Sequence, residues 1–252
     1  MIDQIKEYWN NQPCNINHSK KDFLSKEYFD EVEKKKYFVE YHIPKFAEFE
    51  KYKGKRVLEI GCGIGTDSVN FARHCNEYVG LELSDVSLDI TKKRFEVYGL
   101  DGTFYNINAE DDLSFLGQFD LIYSFGVIHH SPNPQKIIDN VYKLLKPGGE
   151  FKFMVYAENS WKKFMIDSKL DQFEAQSNCP CAFTYTFSDI QFMLNKFKDI
   201  KIKQEHIFPY KIDKYKQNIY EKQDYFENMT DEMFKVLEKN LGWHLCVICY
   251  KY

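Results

Sequence analysis

The stretch Val57-Leu-Glu-Ile-Gly61-Cys-Gly63-Ile-Gly65-Thr66 joins a short apolar run to a cluster of glycines. The apolar residues from Arg56 to Ile60 predict a buried strand, and a helix is predicted from Thr66 to His74. Glycines permit a tight strand-to-helix turn and let a ligand press against bare backbone. The spacing G-x-G-x-G differs from the dinucleotide pattern G-x-G-x-x-G, and no Gly-Lys-Ser/Thr follows. Pyrophosphate and triphosphate binding are therefore both disfavoured.

An acidic residue follows this turn at the end of the next apolar run. The run extends from Tyr78 to Leu83 and contains Glu82. A carboxylate at this place can accept two hydrogen bonds from the hydroxyls of a ribose. The glycine turn and the acid together favour a ligand that carries a ribose.

Strands and helices alternate along the chain, which predicts an α/β fold with a parallel sheet covered on both faces. Two stretches, 157–187 and 211–241, break the alternation, and insertions of this kind commonly form a ligand pocket. The further predicted strands are Thr103 to Asn108, Phe119 to Phe125, Glu150 to Tyr156, Ile200 to Ile207 and Trp243 to Tyr250. The further predicted helices are Glu27 to Ile43 (ended or kinked by Pro44), Asp85 to Tyr98 with Ser84 as N-cap, Pro134 to Leu145 closed by Lys146 to Gly149, and Ser188 to Phe197.

Composition narrows the class of protein. Of 252 residues, 44% are apolar and 29% charged, which allows a substantial core and excludes wholesale disorder. A net charge of −4 gives no overall attraction to nucleic acid or to an anionic membrane. Aromatic residues are abundant at 17%, and either packing or a pocket walled by rings explains them.

The cysteines and the N-terminal residues indicate the cellular compartment in which the protein is expected. No apolar run is long enough to span a membrane, and the polar start lacks the apolar stretch of a signal peptide. Seven scattered cysteines are typical of reduced thiols, so a cytoplasmic protein is expected. The close pairs Cys179/Cys181 and Cys246/Cys249 are not joined by histidines at zinc-site spacing, so no metal is expected.

Five segments support a family resemblance: VLEIGCGIGTDS, GLELS, NAEDDLSF, FDLIYSFGVIHHSPNP and LLKPGGEF. In this order, over roughly residues 55–157, the chain resembles the class I S-adenosylmethionine-dependent methyltransferases of the small-molecule type. The resemblance implies a three-layer Rossmann-like fold with a seven-stranded sheet whose last strand is antiparallel. It also implies S-adenosylmethionine as cofactor, with S-adenosylhomocysteine as product and inhibitor.

The resemblance assigns the cofactor contacts residue by residue. A space-filling role is the alternative for Cys62, and a solvated helix start is the alternative for Glu110. The implied contacts are Glu59, Gly61, Cys62 and Gly63 for the methionine end, Glu82 for the ribose, Leu83, Ala109 and Glu110 for the adenine, and Phe125 to close the site. An aromatic, poorly hydrated wall suits a sulfonium that loses its charge as the methyl group moves.

A pair of histidines, His129 and His130, directly follows the fourth strand, where the transferred methyl should point. An acceptor hydroxyl benefits from a base with a pKa near ~6.5. Small-molecule O- and C-methyltransferases of the resembling family often carry a His pair here. The alternative is that the first histidine only shapes the loop, and the sequence does not separate the two roles.

Residues 1–50 are predicted to form a helical lid or extension, and 51–252 the methyltransferase domain. Tyr8 and Trp9 are candidate lid contacts, although a helix packed on the outside of the sheet is the alternative. The run Lys34 to Tyr37 is interpreted as a solvated helix face, with Tyr37 considered for a contact near the cofactor carboxylate.

The insertion after the fifth strand is the predicted acceptor wall. It presents Tyr156, Asn159, Trp161 and Lys162, followed by a Cys-Pro-Cys turn and Tyr185. Polar tips on an apolar scaffold suit a small polar acceptor, and an anionic acceptor would favour Lys162. Packing alone explains the aromatic rings equally well.

These observations predict an enzyme that transfers methyl from S-adenosylmethionine to an oxygen of a sugar, nucleotide-linked or phosphate-bearing small molecule. The narrower resemblance is to methyltransferases of bacterial surface-polysaccharide pathways. One alternative is a protein or RNA methyltransferase, which the acidic balance and the absence of an Asn/Asp-Pro-Pro-aromatic signature disfavour. Another is a non-catalytic cofactor-binding subunit, which the intact His pair disfavours. No nucleic-acid or membrane partner is expected.

Overall fold

A single mixed β-sheet organises the computed structural model, which describes residues 1–170 and 179–252. Seven strands run in the order β3-β2-β1-β4-β5-β8-β7, and the short β6 pairs with the end of β5. The strands are β1 Arg56–Ile60, β2 Glu77–Glu82, β3 Thr103–Asn106, β4 Phe119–Phe125, β5 Leu145–Ala157, β6 Thr184–Tyr185, β7 Lys198–Glu205 and β8 His244–Tyr250. Only β8 runs antiparallel to its neighbours, β5 and β7, among the described strands. The Rossmann-like sheet with an antiparallel last strand is thereby confirmed.

Helices lie around the sheet and in its connections. They are α1 Ile2–Asn11, α2 Lys26–Val39, α3 Ile43–Ala47, α4 Thr66–Ala72, α5 Asp85–Tyr98, α6 Pro134–Leu144, α7 Trp161–Asp167, α8 Phe187–Met193, α9 Ile212–Tyr215, α10 Asp224–Glu227 and α11 Asp231–Leu241. Within the two described ranges, no helix combines the length and apolarity that crossing a bilayer requires.

The strands are buried on both faces, as a parallel sheet between helices requires. In β1, Leu58 and Ile60 belong to the cluster that contains the apolar face of α6. Val57 points to the other face and belongs with Phe71 of α4 and Phe95 of α5. Each such side chain contributes about 1.5–3 kcal/mol through burial. The alternation along β1 therefore ties both helical layers to the strand that leads into the glycine turn.

Two boundaries differ from the sequence-based expectation. The helix predicted from Glu27 to Ile43 ends at Val39, and Pro44 lies in the first turn of α3 instead of ending α2. Proline is tolerated there because the first amides of a helix have no intrahelical acceptor. The turn predicted at Lys146 to Gly149 is the irregular start of β5, where the pairing with β4 shifts register.

The predicted insertions contain separate small elements. The stretch 157–187 holds α7 and β6, and its residues 171–178 lie outside the described part of the chain. The stretch 211–241 holds α9, α10 and α11 between β7 and β8. Glu205, at the end of β7, pairs with His244, at the start of β8, so the second stretch begins and ends at the same edge of the sheet.

The buried Arg94 of α5 links the N-terminal helices to the sheet-bearing part of the chain. Its guanidinium donates to Thr66 Oγ1 at 2.7 Å, to the Phe29 carbonyl at 3.1 Å and to Glu33 Oε2 at 3.2 Å. The side chain is fully buried. Since a buried guanidinium is stable only when its donors are paired, α2, α4 and α5 are fixed relative to one another.

Replacing this residue, Arg94→Met, is expected to lower the free energy of unfolding by about 2–4 kcal/mol, because the Phe29 carbonyl and Glu33 lose their donor. The control is Lys93→Met, at an exposed neighbour that pairs with Glu96, which should change stability by less than ~0.5 kcal/mol. Chemical denaturation measures both variants, and equal losses would contradict the linking role.

Candidate active site

A deep cleft lies at the carboxyl edge of the sheet. β1 and β4 are neighbours there, although the chain visits β2 and β3 between them, so the loops that follow β1 and β4 diverge at this point. Ligands of open α/β sheets bind at such a switch point. The cleft is lined by residues that follow β1, β2, β4 and β7.

The glycine turn forms the floor of the cleft. Gly61 has a φ of +74°, and a Cβ there would lie 2.3 Å from a methyl of Val127, in the loop after β4. Gly63 has a φ of +55°, and a Cβ there would meet no atom within 4 Å. Gly61 is thus required by close packing between two loops, whereas Gly63 presents bare backbone to the cleft. Cys62 is buried between them and lines the cleft.

Glu82, at the end of β2, connects this turn to the next helix. Its carboxylate accepts from the Gly63 amide at 2.8 Å and from the Ser84 amide at 2.9 Å. Burial raises the pKa of Glu82, and the two amides oppose this effect. Ser84 also caps α5 by accepting from the Ser87 amide, as predicted. The acid is therefore fixed in place before any ligand arrives.

A buried charged cluster lies beside the turn. Glu59 accepts from Ser68 Oγ at 2.7 Å and from the Tyr78 hydroxyl at 2.6 Å, and burial, followed by Asp67, raises its pKa to about 7. Asp67 accepts from Lys36 Nζ at 2.8 Å. Glu59, Asp67 and Lys36 all line the cleft, so both signs of charge are available there.

The run Lys34 to Tyr37 was expected to be a solvated helix face, and this is wrong for most of it. Lys36 turns inward to its ion pair with Asp67, to which the Tyr37 hydroxyl also donates at 2.9 Å. Lys35 is buried and donates to Asn218 Oδ1 at 2.7 Å. The buried partners come from distant parts of the chain, which the local spacing of lysines does not reveal.

The cleft lining also contains the residues expected near the adenine, Leu83, Ala109 and Glu110. Phe125, which was expected to close the site, lines the cleft as well. The Glu110 carboxylate also accepts from Ser131 Oγ at 2.6 Å and from the Asn133 side-chain amide at 2.8 Å. Glu110 is therefore not a simply solvated helix start, because it holds the loop after β4.

The structure separates the two histidines. His130 lines the cleft, and its Nδ1 lies 2.7 Å from the Cys181 carbonyl, which fixes the proton on Nδ1. Its buried Nε2 has no hydrogen-bond partner in the described chain, and burial lowers the pKa of the ring to about 4. His129 does not line the cleft, and its ring lies tilted against that of Tyr156 with ring centres 3.7 Å apart. The neutral His130 thus presents a lone pair to the cleft, whereas His129, whose two ring nitrogens also lack a partner in the described chain, is buried away from the cleft lining.

The predicted acceptor wall is present only in part. Tyr156, Trp161 and Lys162 line the cleft, with Tyr156 stacked on Trp243 at 4.2 Å between ring centres. Asn159 is exposed and lies away from the cleft, where its carbonyl accepts from Gln204. The prediction that Asn159 belongs to the wall was wrong. Ser160 is the N-cap of α7, which begins at Trp161, and the chain that enters this helix turns Asn159 outward. Tyr185, in β6, is buried and also stays outside the cleft lining.

Sequence reasoning missed a group of polar residues at the acceptor end. His206 and His244 line the cleft together with Glu40, and the buried His42 contacts His244 at 3.1 Å from Nε2 to Nδ1. Burial lowers the pKa of His42 to about 4. Glu40 and His42 are close in the sequence, but His206 and His244 lie far from them and from each other, so no local motif signals the group.

The first helix crosses the mouth of the cleft. Lys6 donates to Asp85 Oδ1 at 3.0 Å and to Asn106 Oδ1 at 3.2 Å, which attaches α1 to the ends of β3 and α5. Trp9 lines the cleft and meets the His130 ring edge-on at 5.1 Å between centres. Tyr8 does not line the cleft and packs edge-on against Trp9.

Comparison with known proteins agrees with this geometry. Residues 58–151 match the family model described as a methyltransferase domain. Over these residues the chain contains a methyltransferase domain. The chain is 35% identical over 112 residues to a ubiquinone biosynthesis O-methyltransferase of Coxiella burnetii, and 31% identical over 108 residues to one of Erwinia tasmaniensis. These matches cover 42% of this chain in both cases, and 46% and 44% of the relatives, so they span under half of each relative's length.

Solved structures match the methyltransferase domain and its surroundings over most of the chain. The YcgJ protein of Bacillus subtilis matches with a TM-score of 0.62 and 16% identity, over 84% of this chain and 98% of its own. The magnesium protoporphyrin IX methyltransferase of Synechocystis, with bound S-adenosylhomocysteine, matches with a TM-score of 0.62 and 14% identity, over 100% and 99%. At these low sequence identities, the matches show a shared fold only.

The exposed backbone at Gly63 makes the cofactor site testable. Gly63→Ala is expected to weaken S-adenosylmethionine binding at least ~10-fold, because the new methyl group enters the cleft beside Glu82. Gly148→Ala is a matched control, since Gly148 also has a positive φ, +75°, and open space around its Cβ, but lies outside the cleft lining. Calorimetry measures both affinities, and similar losses in the two variants would count against the site.

Proposed function

We propose that this chain transfers the methyl group of S-adenosylmethionine to an oxygen of a small hydroxyl-bearing acceptor, with His130 accepting the proton. The observation that carries the proposal is the unpartnered Nε2 of His130, which is buried at the cleft between the glycine turn and the aromatic wall. The curated relatives named O-methyltransferases support oxygen as the acceptor atom.

The cleft residues fit the cofactor. Glu82 offers its carboxylate to the ribose, while the bare backbone at Gly63 leaves space for the ligand. Lys36 offers a cation for the cofactor carboxylate, and Asp67 and Glu59 offer acceptors for its ammonium. Leu83, Ala109 and Phe125 offer apolar surface to the adenine and the sulfonium. The set supplies partners for the ribose and for both charged groups of the methionine end.

The proposed chemistry is a single in-line transfer. S-adenosylmethionine supplies an electrophilic methyl group on a sulfonium. As the acceptor oxygen forms its bond to the methyl carbon, the carbon–sulfur bond breaks, and the sulfur keeps the electron pair. The acceptor proton passes to Nε2 of His130, so the positive charge moves from sulfur to the imidazole. The Cys181 carbonyl, which holds Nδ1–H, stabilises that imidazolium.

The acceptor end of the cleft favours a ring with an anionic substituent. Tyr156, Trp161 and Trp243 supply flat apolar surfaces, and Lys162 places a cation 5.3 Å from the Trp243 ring centre. Sugars, nucleotide-linked sugars and phosphate-bearing intermediates remain candidates, as does a phenolic acid. A surface-polysaccharide pathway is one source of such acceptors.

Residues 1–50 are proposed to act as a lid on residues 51–252. Ile5 and Trp9 of α1 line the cleft, and Lys6 fixes the helix to Asp85 and Asn106. A lid that excludes water favours charge transfer from a sulfonium and prevents hydrolysis. This role accounts for the aromatic N-terminal segment, whereas packing on the outside of the sheet does not.

The experiment that tests the function uses methyl-labelled S-adenosylmethionine, the purified chain and a cell extract separated by size. Label in small molecules is the expected result, and phenolic acids and nucleotide sugars are then tested separately. Label in protein or RNA would contradict the proposal. Tight cofactor binding without any labelled product, in extracts from several growth conditions, would favour a non-catalytic subunit.

The variant His130→Ala is expected to reduce turnover at least ~100-fold, because the acceptor proton loses its base, while the affinity for S-adenosylmethionine stays unchanged. His74→Ala, at a half-buried histidine outside the cleft, is the control. The pKa of His130 is about 4, so this base stays unprotonated from pH 8 to pH 5. Titration of His130 should therefore cause no change in kcat/KM of the unchanged chain over that range. A greater loss in His129→Ala than in His130→Ala would contradict the assignment.

A further inference from the structure

Three side chains that are common metal ligands meet at the acceptor end of the cleft. One potential ligand atom from each of Glu40, His206 and His244 lies within 4.8 Å of the other two. Glu40 follows α2, His206 follows β7 and His244 begins β8. Because β8 is antiparallel to β7, its first residue pairs with Glu205, the last residue of β7. The fold thus brings three distant residues to one point, and all three line the cleft.

The two ring nitrogens of His244 have different neighbours. Nε2 lies 3.8 Å from Glu40 Oε1, and Nδ1 lies 3.1 Å from Nε2 of His42. Two ligands that bind a tetrahedral ion at ~2.1 Å are about 3.4 Å apart, so for the pair Glu40 and His244 a movement of a few tenths of an ångström suffices. His42 holds the His244 ring as outer partners hold metal-binding histidines, which makes it a positioning residue.

His206 is held in an unusual state. Its φ is +72°, a conformation that is uncommon for residues other than glycine, and its carbonyl accepts from the Trp243 amide at 2.7 Å. The side chain is 8% exposed, and its buried Nδ1 has no hydrogen-bond partner in the described chain. A buried nitrogen without a partner costs free energy, which a bound ligand would recover.

We propose that Glu40, His206 and His244 bind one divalent transition-metal ion with an open position toward the acceptor. Two imidazoles and one carboxylate suit Zn²⁺ or Fe²⁺, whereas Mg²⁺ and Ca²⁺ prefer sites made of oxygen ligands. The role of the ion rests on the proposed function. It would withdraw electron density from an acceptor hydroxyl, so that the proton leaves more readily for His130. The Tyr156 ring is a neighbour of both groups, with its centre 5.9 Å from that of His130 and 6.3 Å from that of His244.

The test uses the full chain, treated with a chelator and titrated with Zn²⁺ by calorimetry and with Co²⁺ by visible absorption. One ion per chain is expected, with a Co²⁺ spectrum that lacks the strong charge-transfer band of thiolate ligands. Glu40→Gln and His206→Ala should each weaken Zn²⁺ binding at least ~100-fold. His42→Ala should weaken it ~10–100-fold as the loss of an outer partner. His74→Ala should leave it unchanged.

Affinity for S-adenosylmethionine is measured in every variant, which identifies any that fail to fold. Thiolate absorption, or binding that survives Glu40→Gln and His206→Ala in variants that still bind the cofactor, would overturn the site. Absence of Zn²⁺ and Co²⁺ binding to the unchanged chain would also overturn it, even if methyl transfer proceeds. Conversely, ion binding that depends on these residues supports the site even if no acceptor is ever methylated, so the two proposals fail separately.

Discussion

The arrangement of the cleft depends on one carboxylate. Glu82 accepts the amides of Gly63 and Ser84, and so holds the turn after β1 and the start of α5 at a fixed separation. The contact between Gly61 and Val127 then sets how closely the loop after β4 can approach. His130 lies three residues beyond Val127, so its position follows from these two constraints. The contact between Glu82 and the glycine turn thereby influences the position of His130, the proposed base, in the cleft.

The two halves of the cleft differ in the kind of polar groups that they bury. The cofactor half contains ionised groups that are paired, such as Lys36 with Asp67. The acceptor half contains imidazoles that burial keeps neutral, such as His130 and His42. Neutral rings cost less to bury than unpaired charges and keep a lone pair available. The division suits the proposed transfer from a charged sulfonium to a neutral hydroxyl group.

The sequence was informative wherever a function depends on neighbouring residues. The turn from Gly61 to Gly65 and the acid Glu82 follow a fixed strand–turn–helix spacing, so the floor of the cleft could be predicted. The separate positions of His129 and His130 could not, because a single turn of 3-10 helix, Ile128–His130, decides which ring faces the cleft. The meeting of Glu40 with His244 depends on pairing between β7 and β8, which no local pattern encodes. Asn159 was wrongly assigned to the wall because the spacing of residues in the sequence does not show where a side chain points just before a helix.

The strand order has a consequence for the assembly of the chain during synthesis. β7 pairs only with β8 among the described strands, and β8 in turn pairs with β5. β7 therefore has no position in the sheet until β8 has left the ribosome, and the two strands add together as a unit. The strands β1 to β5 can pair with one another earlier, since the pairings among them do not involve the last residues. A nascent chain thus holds the strands around the glycine turn while the cleft still lacks Trp243 and His244, and ribosome pausing before residue 244 would prolong that state.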